Sequence, residues 1–172
     1  MDHILIDNFL ENPDLIRSVA LSKQYDKSNR ETGWKGFRIL MDNDELIYYI
    51  KNKLINIDDK FKNITLELFF HYTLDDTKNE INNFEKKRLH KDKVQWAGVI
   101  YLTPNPSKNS GTTLHNDDGK LEHIIDNVYN RFVFYNGNII HGVQDTFGNN
   151  INNGRLTITI FGNINKKERT FL

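Results

Sequence analysis

The chain has no cysteine. Disulfide scaffolds, thiolate zinc sites, iron–sulfur clusters and a cysteine nucleophile are therefore excluded. The absence fits a reducing cytosol. Net charge is also missing: 23 Lys and Arg stand against 23 Asp and Glu. No bulk field then draws the chain to nucleic acid or to an anionic membrane. Two short basic stretches, Glu85–Arg88 and Asn165–Arg169, read as a solvated turn and a terminal segment. No apolar run approaches the ~18 residues of a membrane span. The start, MDHILIDNFLENPD, has no charged region followed by an apolar stretch, so no signal peptide is expected. A cytoplasmic location is the matching expectation. No internal repeat and no linker breaks the sequence.

What is present is ordinary for a globular protein: 38% hydrophobic and 27% charged residues over 172 positions. That length predicts one domain with a sizeable core. Ile4–Ile6 reads as a first strand. Asn12-Pro13 reads as a helix start, with Asn as cap, Pro at the first helical position and Asp14 in the first turn. Leu15, Ile16, Val19, Ala20 and Tyr25 would form its apolar stripe. A loop at Gly33–Gly36 precedes a short strand at Phe37–Leu40. Asp42 or Asn43 then caps a second helix with Leu46, Ile47, Ile50 and Leu54 on one face.

After Asn63 the pattern turns to β. ITLELFFHYT, Ile64–Thr73, is rich in β-favouring residues. Further strands are predicted at Val94–Leu102, Thr112–Leu114, Arg131–Tyr135, Asn138–Val143 and Leu156–Phe161, separated by Asn-, Gly- and Pro-rich turns. Asn136-Gly137 reads as a two-residue hairpin turn. Lys120–Asp126 reads as loop or short helix, and 75–87 as a polar loop. Short strands at near-regular spacing point to a sandwich or jelly roll, with the N-terminal helices on one outer sheet face.

His90-Lys91-Asp92 stands directly before the apolar run VQWAGVIYL. Residues i and i+2 of a strand share a face, so an imidazole and a carboxylate there can serve one metal ion. A polar loop ahead of a strand is the plain alternative. A second copy, His115-Asn116-Asp117, lies further on. A third ligand would come from His3, His71, His123 or His141, and His141 lies in a predicted strand. Crossing four or so jelly-roll strands takes on the order of 40 residues. The span from Asp92 to His141 clears that length, and the span from Asp117 to His141 falls well short. His90, Asp92 and His141 are therefore the candidate triad, and His115/Asp117 a surface turn near the barrel rim. Leu156, Ile158 and Ile160 alternate with Arg155, Thr157 and Thr159. The second set fits either a carboxylate-binding pocket or the exposed polar face of a sheet.

His-x-Asp, a distal His and then an Arg, in this order and in β context, resemble the Fe(II)- and 2-oxoglutarate-dependent dioxygenases, in particular their prolyl-4-hydroxylase-like branch. Val99–Pro104 resembles the strand whose Tyr meets the co-substrate, Ser110–Leu114 the strand that follows, and Arg131–Val143 the strand pair carrying the last ligand. Arg155-Leu156-Thr157 resembles the Arg-x-Ser/Thr pairing of some members. Leu5–Leu10 running into Asn12-Pro13 resembles the opening of small members from bacteria and their viruses. The likeness spans most of the chain and is strongest from 88 to 161. An insert at Thr146–Asn153 lengthens the gap before Arg155, and no second cofactor-contacting Tyr stands out.

The resemblance implies an α+β, mainly β fold: a double-stranded β-helix (jelly roll) core over 64–163 with helical support from 1–63. It implies catalytic Fe(II) held by His90, Asp92 and His141. 2-Oxoglutarate would be held at its far carboxylate by Arg155, Thr157 and Tyr101, with O2 as the oxidant and ascorbate as an accessory reductant. The implied reaction is hydroxylation of an unactivated C–H bond of a prolyl residue or a free amino acid, releasing succinate and CO2. Trp34, Arg38, Tyr72 and the 75–87 loop are the candidate substrate contacts, and 75–87 and 146–153 the candidate lids. The expected partner is a small-molecule or peptide substrate, with no nucleic acid and no membrane. The expected state is a monomer or homodimer, in bacterial or virus-infected cytoplasm. Two other readings stand beside this one: a cupin-like metal enzyme without 2-oxoglutarate, and a non-enzymatic jelly-roll binding module.

Overall fold

Period-two alternation organises the β half of the molecule. The computed structural model describes residues 3–28, 35–75 and 89–165. Its strands are β1 (His3–Ile6), β2 (Asp26–Lys27), β3 (Phe37–Leu40), β4 (Ile64–Thr73), β5 (Trp96–Tyr101), β6 (Thr112–His115), β7 (Leu121–Ile125), β8 (Phe132–Asn136), β9 (Ile140–Val143) and β10 (Arg155–Ile164). Two helices, α1 (Pro13–Leu21) and α2 (Asp44–Ile57), and a short 3-10 helix (Asp59–Asn63) complete it. A seven-stranded sheet runs β1-β8-β5-β10-β4-β3-β2, and a three-stranded sheet runs β7-β6-β9. All the pairings are antiparallel, and the two sheets form the jelly roll.

β10 lies at the centre of the large sheet, with Arg155 opposite Thr73 and Thr157 between His71 and Tyr101. Alternation along it splits the sheet into two faces. Leu156, Ile158 and Ile160 share one face with Leu68, Phe70, Ile100, Phe132 and Phe134, and the helices cover that face through Ala20, Leu46, Ile50 and Leu54. The other face carries Tyr101, Val99, Ala97, Val133 and Tyr135, which pack on Leu114 and Ile125 of the small sheet. That second layer is the barrel interior. Thr157 is fully buried and Arg155 nearly so, so at these two positions the polar face of β10 lines the barrel and does not meet solvent.

Both helices start at the expected positions, with a side-chain cap formed at Asn43 and none at Asn12. The side chain of Asn43 accepts the Leu46 N–H at 2.9 Å, and Asp44 and Glu45 sit favourably in the first turn of α2. Ile50 and Leu54 are completely buried, each contributing roughly 1.5–3 kcal/mol of apolar burial. In α1 the stripe is narrower than expected: Ala20 is buried and Ile16 packs on the core, but Leu15 and Val19 are exposed. A nine-residue helix makes only about two and a half turns and so covers a narrow strip.

Two β assignments also need correction. Lys120–Asp126 is not loop or helix, because its centre is β7, the outer strand of the small sheet. The first four β7 residues are exposed, which hides the apolar signature of a strand. Asn136-Gly137 does turn the chain, with the Ile139 N–H donating to Asn136 O at 2.9 Å. The strands on either side do not pair, because β8 belongs to the large sheet and β9 to the small one. The turn is a passage between layers.

Candidate metal centre

β9 delivers His141 to the barrel interior by register. His141 stands opposite Leu114, an interior residue, in the β6–β9 pair. His90 forms an isolated antiparallel bridge with it. The His90 N–H donates to His141 O at 3.0 Å, and the His141 N–H donates to His90 O at 2.9 Å. Directly opposed residues in such a pair project to one side. Asp92, two residues on, is tied by its N–H to Gly137 O at 2.8 Å, while the Gly137 N–H donates to Gln95 O at 2.9 Å. A Cβ at residue 137 would lie 2.1 Å from Val94 O, so only glycine allows this approach.

The three side chains converge. Their ligand atoms all lie within 4.8 Å of one another. His141 Nε2 is 3.2 Å from Asp92 Oδ2, and His90 Nε2 is 3.6 Å from Asp92 Oδ1. His141 Nδ1 lies 2.9 Å from the Ile139 carbonyl, which can only accept. The Nδ1–H therefore donates to that carbonyl, which makes Nε2 the nitrogen available to a metal ion. Burial by itself would raise the Asp92 carboxyl. The His141 hydrogen bond and the charges of His141, His90 and Arg38 outweigh that and hold it below the ordinary carboxylate range. Two imidazoles and one ionised carboxylate form the donor set of a 2-His-1-carboxylate metal site. Among the described residues it is the one such cluster of three or more possible ligands.

Deeper in the barrel lies a cation. The Arg155 Nε–H donates to Ser110 O at 2.8 Å, and its guanidinium carbon is 5.3 Å from the Tyr101 ring centre. Arg155 Nη2 is buried with no hydrogen-bond partner. A carboxylate oxygen is the group that would satisfy it. The Tyr101 hydroxyl shares a 2.7 Å bond with Thr112 Oγ1. Burial raises the Tyr101 phenol, against the pull of Arg155, so it stays protonated and able to donate. The Thr157 hydroxyl donates to His71 O at 3.2 Å. Three candidate metal ligands and a buried guanidinium nitrogen without a hydrogen-bond partner thus fit a metal ion and a dicarboxylate.

The other expected contacts scatter. Arg38 points into the barrel beside His71. Tyr72 does not: it lies on the helix side of β4, stacked on Phe37 with ring centres 4.5 Å apart. Trp34 and most of the 75–87 loop lie outside the described residues, as do Glu85–Arg88 and most of Asn165–Arg169. His115 and Asp117 end β6 and enter its exposed turn, with Asp117 paired to Lys91 at 2.7 Å. Thr112, Ser110 and Gly137 carry parts of the site that the sequence reading passed over. Their roles come through backbone register and close approach, which leave no residue-type signature. Thr112 was nonetheless reachable, since it sits at an interior position of a predicted strand. No described helix is long and apolar enough to cross a membrane.

No protein-family model matches the sequence, and no curated protein matches it. Solved structures do match. A prolyl-4-hydroxylase from Pseudomonas putida is 17% identical, with a TM-score of 0.64 over 96% of this chain and 94% of that one. An oxidoreductase of the 2OG-Fe(II) oxygenase family from Burkholderia pseudomallei is 12% identical, with a TM-score of 0.63 over 95% and 86%. A non-haem α-ketoglutarate-dependent carbocyclase from nogalamycin biosynthesis is 9% identical, with a TM-score of 0.63 over 94% and 79%. The likeness at these identities shows the fold: this chain has the jelly roll that those proteins have.

Proposed function

We propose that this chain is an Fe(II)- and 2-oxoglutarate-dependent oxygenase that hydroxylates an unactivated C–H bond of a prolyl residue or a free amino acid. The observation that carries the reading is one juxtaposition. Three ligand atoms come within 4.8 Å of one another at the mouth of a barrel that also buries an arginine with an unsatisfied nitrogen. The fold shared with the hydroxylase and oxygenase structures supports it.

In this reading His90, Asp92 and His141 would hold the metal through two imidazole nitrogens and a carboxylate oxygen. Fe(II) with 2-oxoglutarate supplies the oxidising chemistry, consuming O2 and releasing succinate and CO2 as oxygen enters the C–H bond. Asp92 offsets part of the metal's charge. The Ile139 carbonyl holds His141 in the tautomer that ligates. Arg155 receives the far carboxylate with Tyr101 beside it, and so orients the co-substrate toward the metal. Val99, Val133, Leu114 and Ile125 keep the surrounding space dry.

Two measurements test this. Mn(II) followed by N-oxalylglycine, a non-reactive co-substrate mimic, should raise the melting temperature in two steps. A succinate assay over proline-containing peptides and free amino acids should then find turnover that depends on 2-oxoglutarate. Metal binding without any co-substrate effect would favour a cupin-like enzyme, and no metal binding would favour a plain binding module.

A further inference from the structure

Resting on the oxygenase reading, we propose that Thr73 is a second binding residue for the far carboxylate of the co-substrate, its hydroxyl donating to that group beside Arg155. Thr73 is the last residue of β4 and Arg155 the first of β10, and the two stand directly opposite each other. Opposed residues of antiparallel strands project to one side, with Cβ atoms about 4.5–5.5 Å apart. Thr73 is 4% exposed and Arg155 3%. Each carries a buried polar atom with no hydrogen-bond partner, Oγ1 of Thr73 and Nη2 of Arg155. Among the buried unpartnered atoms of the described residues, Thr73 Oγ1 is the one whose residue pairs with Arg155. The Thr73 methyl faces Gly36, just ahead of β3, where an added Cβ would come within 2.8 Å of it. β4 lies between β3 and β10, so the methyl fills the flank away from Arg155.

The other hydroxyls around Arg155 are engaged. The resemblance gives this place to Thr157, but Thr157 donates its one hydroxyl proton to His71 O at 3.2 Å. An ionised carboxylate only accepts, so Thr157 cannot serve it and His71 O together. Thr103 donates to Gly154 O at 2.7 Å, and Ser110 to Ser107 O at 2.6 Å. Tyr101 and Thr112 share one bond, which spends one of their two protons and leaves the other for the site. Asn127 Oδ1 is also buried without a partner, but an amide oxygen only accepts and cannot meet an anion. A buried hydroxyl without a partner costs stability. A carboxylate bound at Arg155 would meet the guanidinium nitrogen and the Thr73 hydroxyl in one step, through charge-assisted bonds. The pair thus favours a keto acid with a second carboxylate over one that lacks it.

The test uses the full chain loaded with Mn(II). Calorimetric titration follows with N-oxalylglycine and with oxamate, which has the chelating end and no far carboxylate. Thr73→Val should weaken N-oxalylglycine about tenfold, while Mn(II) and oxamate affinity hold. Thr73→Ser keeps the hydroxyl and should bind N-oxalylglycine nearly as the parent does. The melting temperature of the ligand-free protein separates binding from a merely structural role. Loss of a hydroxyl bonded within the protein lowers it, whereas loss of an unpartnered one should leave it unchanged or raise it. Unchanged N-oxalylglycine affinity in T73V, an equal loss for oxamate, no recovery in T73S, or a lower ligand-free melting temperature in T73V overturns the proposal. Failure of the unaltered chain to bind Mn(II), or to bind N-oxalylglycine once Mn(II) is in place, is seen before any variant is made. Either failure overturns the oxygenase reading, and this inference falls with it.

Discussion

His-x-Asp occurs twice in this chain, and the two copies end in opposite surroundings. At His90/Asp92 the Asp side chain is 17% exposed and lies against a histidine from a distant strand, itself 7% exposed. At His115/Asp117 the Asp side chain is 90% exposed and its partner is a lysine. The copies are neighbours: that lysine is Lys91, the middle residue of the first copy. Parity separates them. Leu114 faces the barrel opposite His141, so His115, one residue on, is turned to the other face opposite Ile140. Its Nδ1 meets the Gly119 carbonyl, closing a turn. Identical side chains at identical spacing become candidate metal ligands only where register points them inward toward a third such residue.

That contrast yields predictions in descending size. Alanine at His90, Asp92 or His141 is expected to remove Mn(II) binding and bring succinate release to background. Alanine at His115 should leave both near the parent level, and loss of turnover in H115A would reverse the assignment. Next, Arg155→Ala should raise the 2-oxoglutarate KM by about two orders of magnitude, in line with the loss of a charge-assisted bidentate contact. Mn(II) affinity, read separately by calorimetry, should hold.

Gly137→Ala attacks the frame of the first copy and leaves its ligands in place. The new methyl would meet Val94 O at 2.1 Å, so the backbone bonds of Asp92 and Gln95 to residue 137 must shift. A loss of about 1–3 kcal/mol of stability is expected in denaturant melts, together with weaker metal binding.

His71 supplies a pH signature. Its folded value is about 3 against an ordinary 6.5. The unfolded chain then binds the extra proton across that window, and stability falls as pH drops from about 6.5 toward 3. The slope from this group is at most about 1.4 kcal/mol per pH unit. His71→Gln should flatten that part of the melting-temperature profile, and an unchanged slope would assign it elsewhere. The smallest effect belongs to Asp117→Asn, which breaks an exposed pair and should leave both melting temperature and metal affinity unmoved.

Legibility followed the physics of each element. β3 and β4 match their expected bounds residue for residue, because period-two apolar patterns ended by turn residues are local signals. β7 was missed because an outer strand with exposed side chains carries no apolar alternation. The Asn136-Gly137 turn was seen, but its hairpin was not there, since turn chemistry does not say which strand pairs with which. Tyr72 was expected near the substrate and instead packs on the helix side, one residue out of phase with His71.

The sequence by itself determined the jelly-roll class, the candidate ligands His90, Asp92 and His141, and the candidate cation Arg155. Those rest on residue type, order and the length of chain needed to cross the barrel. Tertiary structure alone decided which His-x-Asp faces inward and that Gly137 clamps the first copy to the turn after β8. It also decided that Arg38 points into the barrel beside His71 while Tyr72 turns away. Each of these depends on strand register and on backbone approach between segments far apart in the chain, and a one-residue slip in register reverses the facing of every side chain on a strand.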